Sequence, residues 1–151
     1  MTDCYTITDQ NENLIYEVKQ KMMKMVGNLD FYDNIGNLVM NAKQDFLVIP
    51  ARYQISIGQD HYATIQKRFT LLKKRFDIQS PLGSYYVDGN IFDYNFSIFK
   101  EGIIIANISK ELLKFRDTYK IEVLDESTRD IILAMAIVID KVAHEDNNRS
   151  F

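Results

Sequence analysis

Near the carboxyl end of this 151-residue chain stands an unbroken apolar run, Ile131-Ile132-Leu133-Ala134-Met135-Ala136-Ile137-Val138-Ile139. So many β-branched residues suit a buried strand, but the length of the run and its Ala-Met-Ala centre favour a helix. Ser127 is placed to cap it, and Asp130 suits the positive N-terminal end. Asp140 and Lys141 interrupt the run and Val142-Ala143 close it, which predicts a helix over about 128–143. A helix lying on a sheet needs one apolar stripe, whereas a surface that is apolar all round demands burial on every side. Nine apolar residues are too few to cross a bilayer, which takes roughly 20.

What could surround such a helix is set by an internal repeat. From starting points at Val18, Ala42, Ile65 and Ile108, the residues four positions on are Met22, Phe46, Phe69 and Leu112, all large and apolar. Eleven on stand Leu29, Tyr53, Phe76 and Tyr119; thirteen on stand Phe31, Ile55, Ile78 and Ile121; between them lie Asp30, Gln54, Asp77 and Lys120. A degenerate copy begins near Tyr85 and ends on Phe96, Ser97 and Ile98, so the starts are 24, 23, 20 and 23 residues apart. Ahead of the starts the side chains alternate with period two. Leu14, Tyr16 and Val18 oppose Ile15, Glu17 and Lys19; Leu38, Met40 and Ala42 oppose Val39, Asn41 and Lys43; Ile104, Ala106 and Ile108 oppose Ile105, Asn107 and Ser109. Such alternation is what a half-buried strand requires. Each repeat reads as two strands and a loop. Turn residues separate the repeats: Asn34 to Asn37, Gly58-Gln59-Asp60, Pro81-Leu82-Gly83 and Lys100-Glu101-Gly102.

Five two-strand repeats plus short N-terminal strands amount to about ten to twelve strands, enough to enclose a helix roughly 10–12 Å across. A helix of about 16 residues spans about 24 Å, and a strand of seven about 23 Å, so the lengths agree. The expected fold is therefore mainly β: a closed antiparallel β-barrel of about twelve strands around the buried C-terminal helix. It forms one domain over 1–146, with a polar tail at 147–151.

Composition narrows the function classes. With 18 basic and 21 acidic residues the net charge is −3, so whole-molecule charge predicts no nucleic-acid partner. The single cysteine, Cys4, makes no internal disulfide and excludes a cysteine-based zinc site. Met1 to Gln10 has neither basic residues nor the apolar stretch of a signal peptide, and the expected location is the cytoplasm, with peripheral membrane docking open.

Val18-Lys19-Gln20-Lys21, the stretch Ile65-Gln66-Lys67-Arg68-Phe69-Thr70-Leu71-Leu72-Lys73-Lys74-Arg75-Phe76, Ile108-Ser109-Lys110, Asp117-Thr118-Tyr119 and the terminal Ala134 to Asp140 resemble, in order and spacing, the LURP-one-related proteins over roughly residues 14–143. The resemblance implies kinship with the tubby C-terminal domain and the phospholipid scramblases, and hence a twelve-stranded barrel around a hydrophobic helix. In better-understood relatives the barrel exterior binds phosphoinositide headgroups; no pocket residue of theirs matches a position here.

The sharpest charge feature is Lys67, Arg68, Lys73, Lys74 and Arg75. Residues 61–80 hold five basic residues and one acid, Asp77, a local +4 in a chain whose remainder carries −7. Such a cluster can attract an anionic headgroup, at about 1 kcal/mol per basic residue, with Phe69, Leu71 and Leu72 inserting between the two groups of cations. The plainer reading makes Phe69 core, like Met22, Phe46 and Leu112, and the cations a solvated face. Tyr53, Tyr62, Phe69 and Phe76 could stack bases beside the cations, but they recur at or beside core positions. Catalytic signatures are poor. His61 occupies the place of Leu14, Leu38 and Ile104 and reads as an inward or rim histidine, while His144 follows the helix. No nucleophile elbow, phosphate-binding glycine loop or His-Glu-x-x-His occurs. Asp88-Gly89-Asn90 with Asp93 and Asn95 has oxygen ligands but not the spacing of an EF-hand, and reads as a turn. The expectation is a non-enzymatic module without cofactor or metal, binding anionic phospholipid or another phosphorylated ligand. The alternative is a structural or protein-interaction domain with a protein partner.

Overall fold

In a computed structural model, the backbone is described for residues 2–21, 27–69, 74–91, 93–111 and 118–148, and the side chains for 5–21, 27–66, 76–91, 93–110 and 119–143. Eleven strands follow one another: β1 (Thr2–Thr8), β2 (Leu14–Gln20), β3 (Asn28–Tyr32), β4 (Leu38–Gln44), β5 (Arg52–Ile57), β6 (Asp60–Phe69), β7 (Lys74–Ser80), β8 (Gly83–Asn90), β9 (Asn95–Lys100), β10 (Ile103–Glu111) and β11 (Thr118–Val123). A single 3-10 turn, Glu126–Thr128, leads into the helix α1 (Arg129–Asn148). Hydrogen-bonded neighbours follow chain order from β1 to β11. The described residues thus hold eleven strands where about twelve were expected, and the ladder does not close through hydrogen bonds between its first and last members. The chain divides into two compact units, Met1–Thr64 and Ile65–Phe151.

The N-terminal unit is built from tight hairpins. β1–β2 and β3–β4 use the same turn twice. Asp9 Oδ1 accepts from the N–H of Asn11 and of Asn13, at 2.8 and 2.9 Å, and Asp33 Oδ1 accepts from Ile35 and Asn37, at 3.0 and 2.8 Å. Asn13 and Asn37 each return an amide bond to the second oxygen of the same carboxylate. Such aspartates replace the missing ladder partners of the turn backbone. The left-handed residue is Gly36 in one turn, at φ 88°, and Glu12 in the other, at φ 64°.

The repeat in the sequence is a repeat of register. Each start faces the residue thirteen on: Val18 pairs with Phe31, Ala42 with Ile55 and Ile108 with Ile121. One step along, Lys19 faces Asp30, Lys43 faces Gln54 and Ser109 faces Lys120. The starts Val18, Ala42, Ile65, Tyr85 and Ile108 are all buried. In the degenerate copy Tyr85 faces Lys100 and Val87 faces Ile98, so its frame has slipped by two residues. There Gly89 lies against the next strand: a Cβ would stand 2.6 Å from Asn95 O and 2.7 Å from Phe96 Cα.

Two expectations fail locally. A register shift between Ile104 and Ala106 interrupts the β9–β10 ladder. A bulge of this kind inverts the facing of what precedes it, so Ile104 is exposed while Ile105 joins Ala106 and Ile108 in the core. Phe46, read as a core position, is 64% exposed in the β4–β5 connection, where the chain has left the ladder. Its analogues Met22, Phe69 and Leu112 lie outside the described side chains.

In the C-terminal unit, α1 is buried from Ile131 through Asp140 without a break, as its apolar circumference required. Ser127 lies inside the 3-10 turn that leads into α1, and Asp125 caps that turn: Asp125 Oδ1 accepts from the backbone N–H of Ser127 and Oδ2 from the Thr128 hydroxyl. The Ser127 hydroxyl, which also donates to Oδ1, does most to hold this carboxyl below the ordinary carboxylate range, followed by the Thr128 hydroxyl, and together they outweigh burial. The helix runs beyond 143 to Asn148.

Candidate functional site

The five cations singled out above fall around one strand connection. Lys67 and Arg68 lie near the end of β6, and Lys74 and Arg75 open β7. Lys73 lies outside the described residues, with Thr70, Leu71 and Leu72, as do the side chains of the other four cations and of Phe69. The backbone therefore brings the two basic pairs to the facing ends of consecutive strands, joined by four residues, 70–73.

In the N-terminal unit the β4–β5 connection is anchored by a polar network. The Asp45 N–H donates to Arg52 O at 2.8 Å. Arg52 Nε is ion-paired to Asp45 Oδ2, and the same oxygen accepts from Gln54 Nε2 at 2.9 Å. Burial opposes ionisation of Asp45, but the bonds from Arg52 and Gln54 outweigh it and hold the carboxyl below its ordinary range. One residue earlier, the Gln44 N–H donates to Gly27 O at 2.8 Å and Gln44 Oε1 accepts from the Gly27 N–H at 3.0 Å. Above this base Phe46, Leu47 and Ile49 are 64%, 83% and 93% exposed, and Leu47 adopts a left-handed φ of 57°. Sequence reasoning missed this apolar tip because the repeat alignment assigned Phe46 to the core.

His61 is an exposed rim residue, not an inward one. Its Nε2 stands 2.8 Å from Gln54 Oε1 and 3.0 Å from Thr64 Oγ1. Thr64 donates to the same Gln54 oxygen at 2.6 Å. With the hydroxyl proton directed to Gln54, Nε2 serves as a donor here and is not poised to remove a proton from Thr64.

The remaining candidates are spent on structure. Asn90 Nδ2 donates to Asp93 Oδ2 at 2.6 Å, and the Asp93 N–H donates to Asn90 Oδ1 at 3.2 Å. Among the described residues no three His, Cys, Asp or Glu side chains cluster as metal ligands would. Tyr53 and Phe76 are buried and present no face for a base. Asp30 is buried too, held by Lys21 Nζ at 3.2 Å and by Asn41 Nδ2 at 2.7 Å. The hydroxyl of Tyr119, whose ring stacks on Tyr94 at 5.0 Å, is held far up by burial, and then by the charges of Asp140 and Tyr94. Cys4 and His144 have side chains outside the described set. No helix among the described residues is long and apolar enough to cross a membrane.

Comparison with known proteins places this architecture. The chain is similar to the uncharacterized protein YxjI of Bacillus subtilis (strain 168), 26% identical over 148 residues that cover 98% of this chain and 90% of that one. Its fold is similar to that of a protein from Arabidopsis thaliana solved by X-ray crystallography, with a TM-score of 0.70 at 18% identity, covering 91% of this chain and 83% of the other. The LURP-one-related family matches residues 1–140, which takes in the eleven described strands and α1 as far as Asp140, and the chain belongs to that family.

Proposed function

We propose that this protein is a non-enzymatic binding module that docks on anionic phospholipid, or on another phosphorylated ligand, through Lys67, Arg68, Lys73, Lys74 and Arg75. It would act at the cytoplasmic surface of a membrane. The observation that supports this reading is charge segregation: residues 61–80 bear +4 in a chain of net −3, with Lys67 and Arg68 near the end of β6 and Lys74 and Arg75 at the start of β7. Each cation near an anionic surface contributes about 1 kcal/mol, within a Debye length of roughly 8–10 Å. The reading includes closure of the strands around α1, which burial of Ile131 to Ile139 on every face favours. The test is cosedimentation with phosphatidylcholine vesicles with and without phosphatidylserine. Binding confined to the anionic vesicles, weakened by salt and by changing the five cations to Gln, is expected. Binding that is absent, or unchanged in that variant, refutes the reading.

A protein-interaction domain is the second reading. It is favoured by a row of side chains in the C-terminal unit, where Tyr86 and Phe99 stack at 4.8 Å across β8 and β9 and exposed Ile104 on β10 pairs with Phe99. A stable partner in pull-downs that is lost in Phe99→Ser, together with indifference to vesicles, would favour it.

A further inference from the structure

The apolar tip of the N-terminal unit calls for an occupant. Phe, Leu and Ile are among the residues folding most often buries, yet Phe46, Leu47 and Ile49 stand 64–93% exposed within four positions. They do not hang from a loose loop: the Asp45–Arg52 ion pair, the Asp45 N–H bond to Arg52 O and the Gln54 bond to Asp45 clamp its base. Leu47 is held at φ 57°, a conformation that costs a side chain roughly 1–2 kcal/mol. The arrangement projects apolar groups outward from a fixed base.

Size and charge choose among partners. A stable protein interface buries about 800 Å² on each side, more than three side chains on one connection supply. A bilayer needs only a few apolar groups at its headgroup–acyl boundary, where aromatic rings are also favoured. Between residues 38 and 59 the single acid is Asp45, already paired with Arg52, while Lys43 at the base of the tip is exposed. The tip therefore offers apolar side chains and positive charge, with no unpaired carboxylate to repel anionic headgroups.

We propose that Phe46, Leu47 and Ile49 form a wedge that enters the boundary region of an anionic bilayer, with Lys43 at headgroup level. This deepens the anionic-surface reading and rests on it for the identity of the surface. The chain has no tryptophan, so Leu47→Trp supplies a lone indole reporter. Mixed with phosphatidylcholine–phosphatidylserine vesicles, its emission should move to shorter wavelength and be quenched by brominated acyl chains. F46S/L47S/I49S together should weaken vesicle binding at least about tenfold without lowering the urea midpoint. Cosedimentation of the unaltered chain while the indole stays at its solvent wavelength refutes the wedge and leaves the headgroup reading intact. An indole shift that persists when the five cations are changed to Gln supports the wedge and refutes that reading; absence of both signals refutes both. A concentration-dependent shift in buffer alone means a second copy covers the tip, and a fall in the urea midpoint of the triple variant means the tip is core; either overturns the proposal.

Discussion

Alanine substitutions around α1 probe the burial on which the architecture depends. At about 100° per residue, Leu133, Ile137, Val138 and Met135 stand about 100°, 140°, 240° and 300° around the helix from Ile132. None is more than 5% exposed. Replacing a buried Leu, Ile or Met by Ala removes its transfer free energy and leaves a cavity, costing about 2–5 kcal/mol; Val, with fewer carbons to lose, falls near 2 kcal/mol. Ile103, in the same unit but 69% exposed, is the control: I103A should cost under about 0.5 kcal/mol. Urea unfolding followed by far-ultraviolet circular dichroism measures each midpoint. With an m-value of about 2 kcal/mol/M, a 3 kcal/mol loss moves the midpoint by about 1.5 M. All five helix variants should show large shifts. A helix lying on one face of an open sheet would leave at least one of the five close to I103A, and that result would refute burial on every side.

Other consequences of the structure are open to direct measurement. Glu12→Gly should stabilise the protein by about 0.5–1 kcal/mol, because the matching turn uses Gly36 at the same left-handed position; a lower melting temperature would count against the equivalence of the two turns. Gly89→Ala should cost about 1–3 kcal/mol, since its Cβ would meet Asn95 O and Phe96 Cα, whereas Gly58→Ala, with open space around it, should lose only the left-handed strain of about 1 kcal/mol; equal losses would contradict the close approach of β8 and β9. The Asp33 carboxyl is held below its ordinary value of 3.8, first by the Asn37 N–H and also by that of Ile35. A lowered native value means its contribution is present above about pH 3.8 and lost as pH falls through the native value. Asp33→Asn should therefore lower the urea midpoint at pH 6 and narrow the gap to wild type at pH 2.5; a gap that is independent of pH would refute the assignment.

The legibility of the chain followed the physics of each element. The hairpin register was readable because an antiparallel pair joined by a fixed-length connection turns register into spacing, so that Val18–Phe31, Ala42–Ile55 and Ile108–Ile121 share one separation. Ile104 was misassigned because a period-two reading assumes an unbroken ladder, and the bulge before Ala106 leaves no mark in composition. Asp125 and Ser127 are both good caps two positions apart; the chain enters α1 through a 3-10 turn that Asp125 caps, its carboxylate reaching the Ser127 N–H and the Thr128 hydroxyl. Of the candidate sites, the charge around Lys67 to Arg75 was visible in the sequence. The apolar tip was not, because exposure depends on what else packs there.

Residue order alone determined that Ile131 to Ile139 must be buried all round and that strands of fixed register come in pairs, since both follow from periodicities of the backbone itself. Only the folded chain decided that Asp30 is buried while Phe46, Leu47 and Ile49 meet solvent. Whether a side chain is covered depends on neighbours brought together by pairing across the sheet, and a pattern confined to neighbouring positions in sequence carries no record of them.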